Sequence, residues 1–407
     1  FNRHWHKNSY GPSFVNLMTD QTRIKKSFRG LILLLFIISL LSCSTLTAGR
    51  YNADVSPRHC LPVFPDKDGW YGGDGAYSIK LDKERTLWVF GDTFVGCPGC
   101  RRDRVDMDVV LGTTVAISSC LENREFQITY YLKHGSGKFT SSFGKDEWLW
   151  PQDPFIVNRV LYIPLISIVP GDKEEEVFNF KVAGHKFVRV KDFSAADPRK
   201  WNYDFVDLTL ALPPEIAAFA ATSVVHDRYV YFYPFYVHVK NNLNIFGNIL
   251  ARIPVDRIDR PAGAIEYYTK EGTWENRLSP EKVKIVLDAS VSELSVRYHE
   301  DDQKWIAVYL STQNKGDRLL YQTSDKLEGP WSEAKPLGAP VPEVDPRSAL
   351  YDKGNFCYAG KEHIGFSRGK YLVVTYVCNS SEDMEKQDSF IRRNMFLYRP
   401  VVREIGY

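Results

Sequence analysis

Short runs of alternating apolar and polar residues repeat along the chain from about residue 66 onward, and helical periodicity is nearly absent. The runs are rich in Val, Ile, Tyr, Phe and Trp and are separated by Gly, Pro, Asn and Asp, which is typical of β-strands joined by turns. One aromatic and aliphatic segment recurs five times, at intervals of 66 to 76 residues, at 87–90, 161–163, 229–232, 305–309 and 371–376. Five such units predict an all-β fold, a five-bladed β-propeller.

The strand before each of these segments is predicted to be the innermost strand of its blade. Innermost strands line the central channel of a propeller, and their first residues converge on one face. Four of the five predicted starts carry an ionisable residue, the starts being Asp74, Asp153, Ser223, Glu293 and Glu362–His363. An acidic residue before a strand often only caps a turn, but four in equivalent places indicate a site on this face.

The first predicted hairpin carries the most specific pattern. Its strands contain the segments GGDGAYS (72–78) and LWVFGDT (87–93), joined by a polar turn at 82–85. Asp74 begins the first strand and Asp92 ends the second, so both carboxylates are expected on one rim of the sheet. Two carboxylates held in this way are the minimum requirement for hydrolysis of a glycosidic bond.

The register of this hairpin decides whether the two carboxylates share a face. If Leu81 paired with Thr86, Asp74 would lie opposite Thr93, and the aspartates would point to opposite faces. A three-residue turn, or a bulge at Gly75 or Gly91, would restore a shared face. We therefore predict a bulge or a strand bend in this hairpin.

Further polar candidates lie at or near the other inner strand starts. Asp153 and Glu293 are candidate acid or base groups, or groups that tune the pKa of the aspartate pair. Arg297 is a candidate contact for a sugar hydroxyl, or the partner of an inner acid. His363 is a candidate contact for substrate or for an axial ion, although a lone histidine is more often structural.

Aromatic residues next to the acidic starts are candidates for stacking on sugar rings, with packing between blades as the alternative. We assign Trp70, Tyr71 and Trp150 to substrate binding, and of the two tryptophans Trp148 and Trp150 we expect at most one to contact a sugar.

The N-terminal segment has the pattern of an export signal. Three basic residues precede an apolar run of 11 residues (31–41), and Cys43 follows it. The run is too short to span a bilayer and is typical of a signal peptide. The segment LLSC (40–43) resembles a bacterial lipobox, which predicts lipidation of Cys43 and a membrane anchor; ordinary secretion is the alternative. We predict a leader at 1–42, a tether at 43–65 and one propeller domain at 66–407, lipid-anchored at the outer membrane or cell surface of a bacterium.

The charge of the chain argues against nucleic acid as a partner, and its cysteine content predicts disulfides. Without the leader the chain has 46 basic and 49 acidic residues, so it lacks the basic stripe expected of a nucleic-acid-binding protein. Besides Cys43, six cysteines remain, which predicts disulfides in an exported protein. Cys357 and Cys378 flank a hairpin and are a candidate pair, and Cys97 and Cys100 are expected to form a structural staple rather than a zinc or redox site. No cofactor is predicted apart from a possible axial ion, and a monomer is expected.

Five segments together carry a resemblance to a known family. They are GGDGAYS (72–78), LWVFGDT (87–93), WLWPQD (148–153), RYHE (297–300) and TSDKLEGPW (323–331). These segments resemble the five-bladed propellers of glycoside hydrolase family 183, once a domain of unknown function (DUF4185), which includes bacterial endo-D-arabinanases. The similarity spans about residues 66–400, and the last segment also resembles propeller hydrolases of family 43.

The resemblance implies a hydrolase that cleaves furanoside linkages in an arabinan-type polysaccharide, with Asp74 and Asp92 as its catalytic pair. The chain departs from the family in its Cys97–Cys100 loop and in the acidic segment KEEE (173–176). A non-catalytic glycan-binding propeller lipoprotein is the alternative, because it would use the same channel and the same aromatic residues.

Overall fold

The computed structural model describes residues 60–97, 103–135, 137–145, 147–171, 180–240, 243–381, 386 and 389–407. The predicted leader, Cys43, Cys100 and the acidic segment 173–176 lie outside these residues. Within them the chain is all-β, apart from one helical turn, α1 (Phe390–Arg393), and 3-10 turns at Pro198–Lys200, Val255–Arg257 and Pro342–Val344. None of the helices in the described part is long and apolar enough to cross a membrane.

The strands of the first two blades and of the small sheets attached to them alternate with short turns. They are β1 (Trp70–Gly73), β2 (Tyr77–Lys80), β3 (Arg85–Phe90), β4 (Thr93–Val95), β5 (Asp108–Val110), β6 (Thr114–Cys120), β7 (Phe126–Tyr130), β8 (Lys133–Gly135), β9 (Lys138–Thr140), β10 (Trp148–Pro151), β11 (Phe155–Val157), β12 (Val160–Pro170), β13 (Phe180–Val190) and β14 (Tyr203–Asp207).

The strands of the remaining three blades follow the same pattern. They are β15 (Ile216–Ala218), β16 (Ser223–His226), β17 (Tyr229–Phe232), β18 (Phe235–Lys240), β19 (Leu243–Asn248), β20 (Ala251–Pro254), β21 (Glu266–Tyr268), β22 (Trp274–Glu275), β23 (Ser295–His299), β24 (Lys304–Leu310), β25 (Leu319–Ser324), β26 (Lys335–Pro336), β27 (Asn355–Glu362), β28 (Tyr371–Ser380) and β29 (Val401–Gly406).

Five antiparallel sheets form the blades, and the chain is a five-bladed β-propeller, as predicted. Their strand orders are β2-β3-β6-β7, β10-β12-β13-β14 with β11 also on β12, β16-β17-β20-β21-β22, β23-β24-β25-β26 and β27-β28-β29. The five recurring aromatic segments are the second strands β3, β12, β17, β24 and β28. A hydrogen bond of 2.7 Å between Ser78 of blade 1 and His363, which follows β27, closes the ring.

The core consists of layers between neighbouring blades. Successive side chains of a strand point to opposite faces, so one second strand serves two layers. In β3, Val89 packs with Leu161 of blade 2, whereas Trp88 packs with Val373 of blade 5, and all four side chains are completely buried. This alternation explains why the second strands are continuously apolar, whereas a sheet with one solvated face would alternate.

One disulfide lies within blade 5, and another links the N-terminal end of the described chain to blade 1. Cys357 and Cys378 lie directly opposite each other on β27 and β28 and are bonded, as predicted. Cys60 bonds Cys120 at the end of β6, and Phe64 is buried in the core of blade 1. Cys60 and Phe64 therefore attach this segment to blade 1, and the boundary between tether and propeller stays a prediction. Cys97 is also disulfide-bonded, but the predicted partner Cys100 lies outside the described residues.

Candidate active site

The first hairpin has the register that places its two aspartates opposite each other. Lys80 pairs with Thr86, and the Leu81 amide donates to Arg85 O at 2.9 Å, which leaves a three-residue turn. The pairing of Leu81 with Thr86 is not formed. The same register continues beyond the aspartates, where Gly73 of β1 pairs with Thr93 of β4.

The hydrogen bonds at the aspartates are irregular, but the register is the same on both sides of them, whereas the predicted bulge would shift it by one residue. The Asp74 amide donates to Asp92 O at 2.9 Å, while the Gly91 amide donates to Asp74 O at 2.7 Å. Two consecutive residues of one strand thus hydrogen-bond to one residue of its partner. Residue 91 has little room for a side chain, because a Cβ there would lie 3.3 Å from the Asp74 Cβ. The register set by the three-residue turn brings both aspartates to the same end of the hairpin.

Asp92 is a buried and firmly held carboxylate. Its Oδ1 accepts hydrogen bonds from the Gly112 amide at 2.6 Å, from Trp148 Nε1 at 2.9 Å and from Trp150 Nε1 at 3.0 Å. Burial raises the pKa of Asp92 to about 6, while these three donors counteract that rise because they stabilise the ionised form. Trp150, predicted to bind substrate, uses its indole N–H to orient Asp92.

Asp74 has the more strongly perturbed carboxyl of the pair. Burial is the largest cause that raises its pKa to about 7, followed by the charge of Glu293; Asp92 adds a smaller effect, and Tyr358 and Lys361 act in the opposite direction. Its Oδ1 is buried and has no hydrogen-bond partner among the described residues. A buried acceptor of this kind is uncommon in a folded protein and indicates a functional group.

Glu293 of blade 4 lies across from Asp74 at the inner strand starts. Its Oε1 accepts a hydrogen bond of 2.8 Å from Lys361 Nζ, and 20% of its side chain is exposed. Gly75, with a φ of +59°, passes so close that a Cβ there would lie 3.0 Å from this oxygen. Lys361 also lies 4.2 Å from the centre of the Tyr77 ring. The structure thus places two carboxyls, Asp74 and Glu293, beside the buried Lys361.

Asp153 belongs to a different, fully paired network. Arg297 binds both of its oxygens, at 2.9 and 2.8 Å, and Thr222 Oγ1 and the Ser223 amide each donate to Oδ2 at 2.8 Å. Asp153 is completely buried. The pair joins blades 2, 3 and 4, so the structure gives Asp153 and Arg297 a supporting contact between blades, and their predicted roles in acid catalysis and sugar contact stay predictions.

Three further candidates pack inside the protein. Trp70 is completely buried and stacks on Tyr130 with ring centres 4.5 Å apart, and Tyr71 is buried and donates to Cys97 O at 2.6 Å. His363 is buried, with Nδ1 2.7 Å from Ser78 Oγ and Nε2 2.8 Å from Thr375 Oγ1. Burial and the charges of nearby cations hold the pKa of His363 well below its usual range. The packing alternative therefore applies to these three, because their side chains have no open face for a sugar.

The fifth inner strand supplies site residues that sequence reasoning missed. This strand begins at Asn355, so Glu362 ends it, and the predicted start at 362–363 is corrected. The register between β27 and β28 shifts between Tyr358 and Lys361, and this irregularity brings both residues beside Asp74. The sequence signal was weak: Ala359-Gly360 interrupts an otherwise apolar and aromatic strand.

A family model describes nearly the whole propeller. The model of a domain of unknown function, DUF5005, matches residues 63–405. The chain belongs to the DUF5005 family. No protein with curated annotation matches the chain.

Solved structures share the fold. A presumed hydrolase from Bacteroides ovatus is 15% identical, covers 83% of this chain and 86% of its own, and gives a TM-score of 0.61. An exo-β-1,3-galactanase from Phanerochaete chrysosporium is 10% identical over 82% of this chain and 60% of its own, with a TM-score of 0.43. A family-43 enzyme from Xanthomonas citri is 12% identical over 85% and 90%, with a TM-score of 0.40. The likeness to the Bacteroides ovatus structure shows a shared fold, and membership of family 183 stays a prediction.

Trp148→Phe should raise the pKa of Asp92, because phenylalanine keeps an aromatic ring but removes one N–H donor from its carboxylate. If Asp92 must be ionised for turnover, activity at pH 5 should fall about tenfold further than activity at pH 7. The measurement is a pH profile of kcat/KM. Trp201→Phe is the matched control, because its indole N–H donates to a carbonyl, Ala195 O. A profile identical to the wild type would contradict this role of Trp148.

Proposed function

We propose that this protein is a glycoside hydrolase that cleaves furanoside linkages in an arabinan-type polysaccharide, with Asp74 and Asp92 as the catalytic pair. The observation that carries the proposal is the pair itself. Two carboxyls lie opposite each other at one end of a hairpin, and their pKa values are raised to about 7 and about 6. Paired carboxyls whose environments separate their pKa values are typical of acid and base assignments in hydrolases.

The geometry favours different catalytic roles for the two aspartates. Between pH 6 and 7 Asp74 keeps its proton while Asp92 is ionised, so Asp74 is suited to protonate the leaving oxygen. Asp92, oriented by Trp148 and Trp150, is suited to activate water or to attack the anomeric carbon. Burial, and next the charge of Glu293, hold the proton on Asp74, since a low-dielectric surrounding and a nearby anion both disfavour ionisation.

The substrate class rests on the resemblance to family 183, and export with a lipid anchor on Cys43 remains part of the proposal. A non-catalytic glycan-binding protein would use the same channel but would not require two carboxyls with separated pKa values. The competing functions therefore differ in turnover, because both predict sugar binding.

The deciding experiment is an activity screen on α- and β-linked arabinans, xylan and synthetic furanosides, with sizing of the products. We expect cleavage of at least one furanoside and none by the Asp74→Asn variant. Binding of a polysaccharide without any cleavage would support the glycan-binding alternative. If the protein neither binds nor cleaves any of these substrates, both proposed functions are excluded.

The pH dependence of kcat/KM should be a narrow bell with its maximum near pH 6.5. Activity should rise as Asp92 loses its proton at about pH 6 and fall as Asp74 loses its proton at about pH 7. The measurement is initial rates from pH 4 to 9 on whichever substrate the screen identifies. A rate that stays constant from pH 7 to 9 would exclude Asp74 as the proton donor.

A further inference from the structure

A cavity of about 320 Å³ adjoins the carboxyl cluster. It is formed mainly by blades 4 and 5, and Phe235 of β18 also lines it. Its volume lies within the range of small-molecule binding sites in proteins.

The lining combines aromatic rings with hydroxyl groups. The rings of Phe356 and Tyr358 stack on each other with centres 5.7 Å apart and an angle of 22° between their planes, and both are half-buried. Ser290, Ser311 and Thr312 line the same space. An aromatic surface beside several hydrogen-bonding groups is suited to a sugar, which has apolar C–H faces and polar hydroxyls.

Two of the lining residues also belong to the candidate active site. Glu293 lines the cavity and pairs with Lys361, and Tyr358 lines it and lies beside Asp74, whose pKa it lowers. A ligand in the cavity would therefore lie next to the carboxyl that is suited to protonate the leaving oxygen. Tyr358 connects the cavity and Asp74 directly.

The charges of the lining favour an uncharged ligand. Lys315 is the cation among the described lining residues, and its Nζ already donates to Lys353 O. Glu293 contributes a carboxylate whose partner is Lys361. A uronate or phosphorylated sugar would bring a further negative charge beside the carboxylate of Glu293, which disfavours its binding.

We propose that this cavity is the subsite for the neutral sugar unit next to the scissile bond, an inference that rests on the proposed hydrolase function. Phe356 provides the stacking surface. Tyr358 is a positioning residue, because its ring extends that surface while it also lies beside Asp74 and acts on the pKa of that carboxyl. Binding of a sugar and protonation of the carboxyl thus depend on the same side chain.

Two substitutions separate these roles. Phe356→Ala should raise KM about tenfold and change kcat by less than about twofold, because only the stacking surface is lost. Tyr358→Phe keeps the ring, so KM should stay within about twofold while kcat falls about tenfold. Because Tyr358 lowers the pKa of Asp74, Tyr358→Phe should also shift the alkaline limb of the pH profile upward.

Tyr371→Ala is the matched control. Tyr371 is 44% exposed and lies on β28 eight residues from Asn379, the partner of Phe356. Eight residues of a strand correspond to about 26 Å. This variant removes an exposed ring remote from the cavity and should leave KM and kcat unchanged.

Binding measured by calorimetry distinguishes failure of the subsite from failure of the hydrolase. The probe is a tetrasaccharide of arabinofuranose, titrated into Asp74→Asn with and without Phe356→Ala. An affinity about tenfold weaker in the double variant supports the subsite. Equal affinities overturn it and leave the hydrolase standing. Binding that depends on Phe356, with no cleavage by the wild type, overturns the hydrolase and leaves a sugar-binding site. If the tetrasaccharide is neither bound nor cleaved, the subsite is overturned.

Discussion

Asp74→Asn and Asp92→Asn should each lower kcat by about 10³-fold or more, because an amide of the same shape can neither transfer the proton nor carry the charge. The expected loss is the same for both variants, since each group supplies one half of the reaction. The measurement is kcat at pH 6.5 on the substrate found by screening. Asp325→Asn is the control, because the exposed Asp325 pairs with Lys304 on the surface and should leave kcat unchanged.

Stability shows whether such a loss is catalytic. The folded-state pKa of Asp74 is raised from 3.8 to about 7. A carboxyl whose pKa is raised in the folded state contributes most to stability at a pH below its pKa in the unfolded chain. This contribution to the free energy of unfolding is lost as the pH rises through about 7. Asp74→Asn should therefore raise the melting temperature at pH 8 and change it less at pH 5. An inactive Asp74→Asn variant with a lower melting temperature at pH 8 would indicate a structural role. A variant that retains a tenth of the wild-type activity would exclude Asp74 from the mechanism.

Asp153→Ala should lower the free energy of unfolding by about 3–5 kcal/mol, because it leaves Arg297 as an uncompensated, largely buried cation. Asp153 joins three blades through Arg297, Thr222 and Ser223, so the loss affects the centre of the ring. The measurement is urea denaturation followed by tryptophan fluorescence.

The control for this prediction is an ion pair at the surface. Asp204→Ala breaks the pair with Arg189, in which 52% of the aspartate side chain is exposed, and should cost less than about 1 kcal/mol. If Asp153→Ala kept its full stability but lost activity, Asp153 would return as a candidate acid. A loss of stability with turnover retained in the folded fraction would confirm its supporting role.

Features that depend on local pattern could be predicted from the sequence. The five blades follow from the aromatic second strands, because each must be apolar on both faces to pack between neighbouring blades. The pairing of Cys357 with Cys378 follows from one hairpin, and so does the closeness of Asp74 and Asp92. Each of these predictions needed only residues that are near in sequence.

The same reasoning failed where the partner comes from another blade. Asp74 and Asp153 both precede an inner strand, yet Arg297, 144 residues away, neutralises Asp153, whereas Asp74 meets the like charge of Glu293. Trp70 and Trp150 both flank acidic residues, but Trp70 faces the core and Trp150 donates to Asp92. Tyr358 and Lys361 reach the site through a register shift that no local pattern signals.

The chain by itself therefore determined the fold, the repeat and a pair of carboxyls at one hairpin end, because strand periodicity and turn chemistry act over a few residues. Only the tertiary structure decided which acids are paired, which are protonated and which aromatic rings are open. Burial and opposing charges set these properties, and they arise where blades distant in sequence meet at the channel.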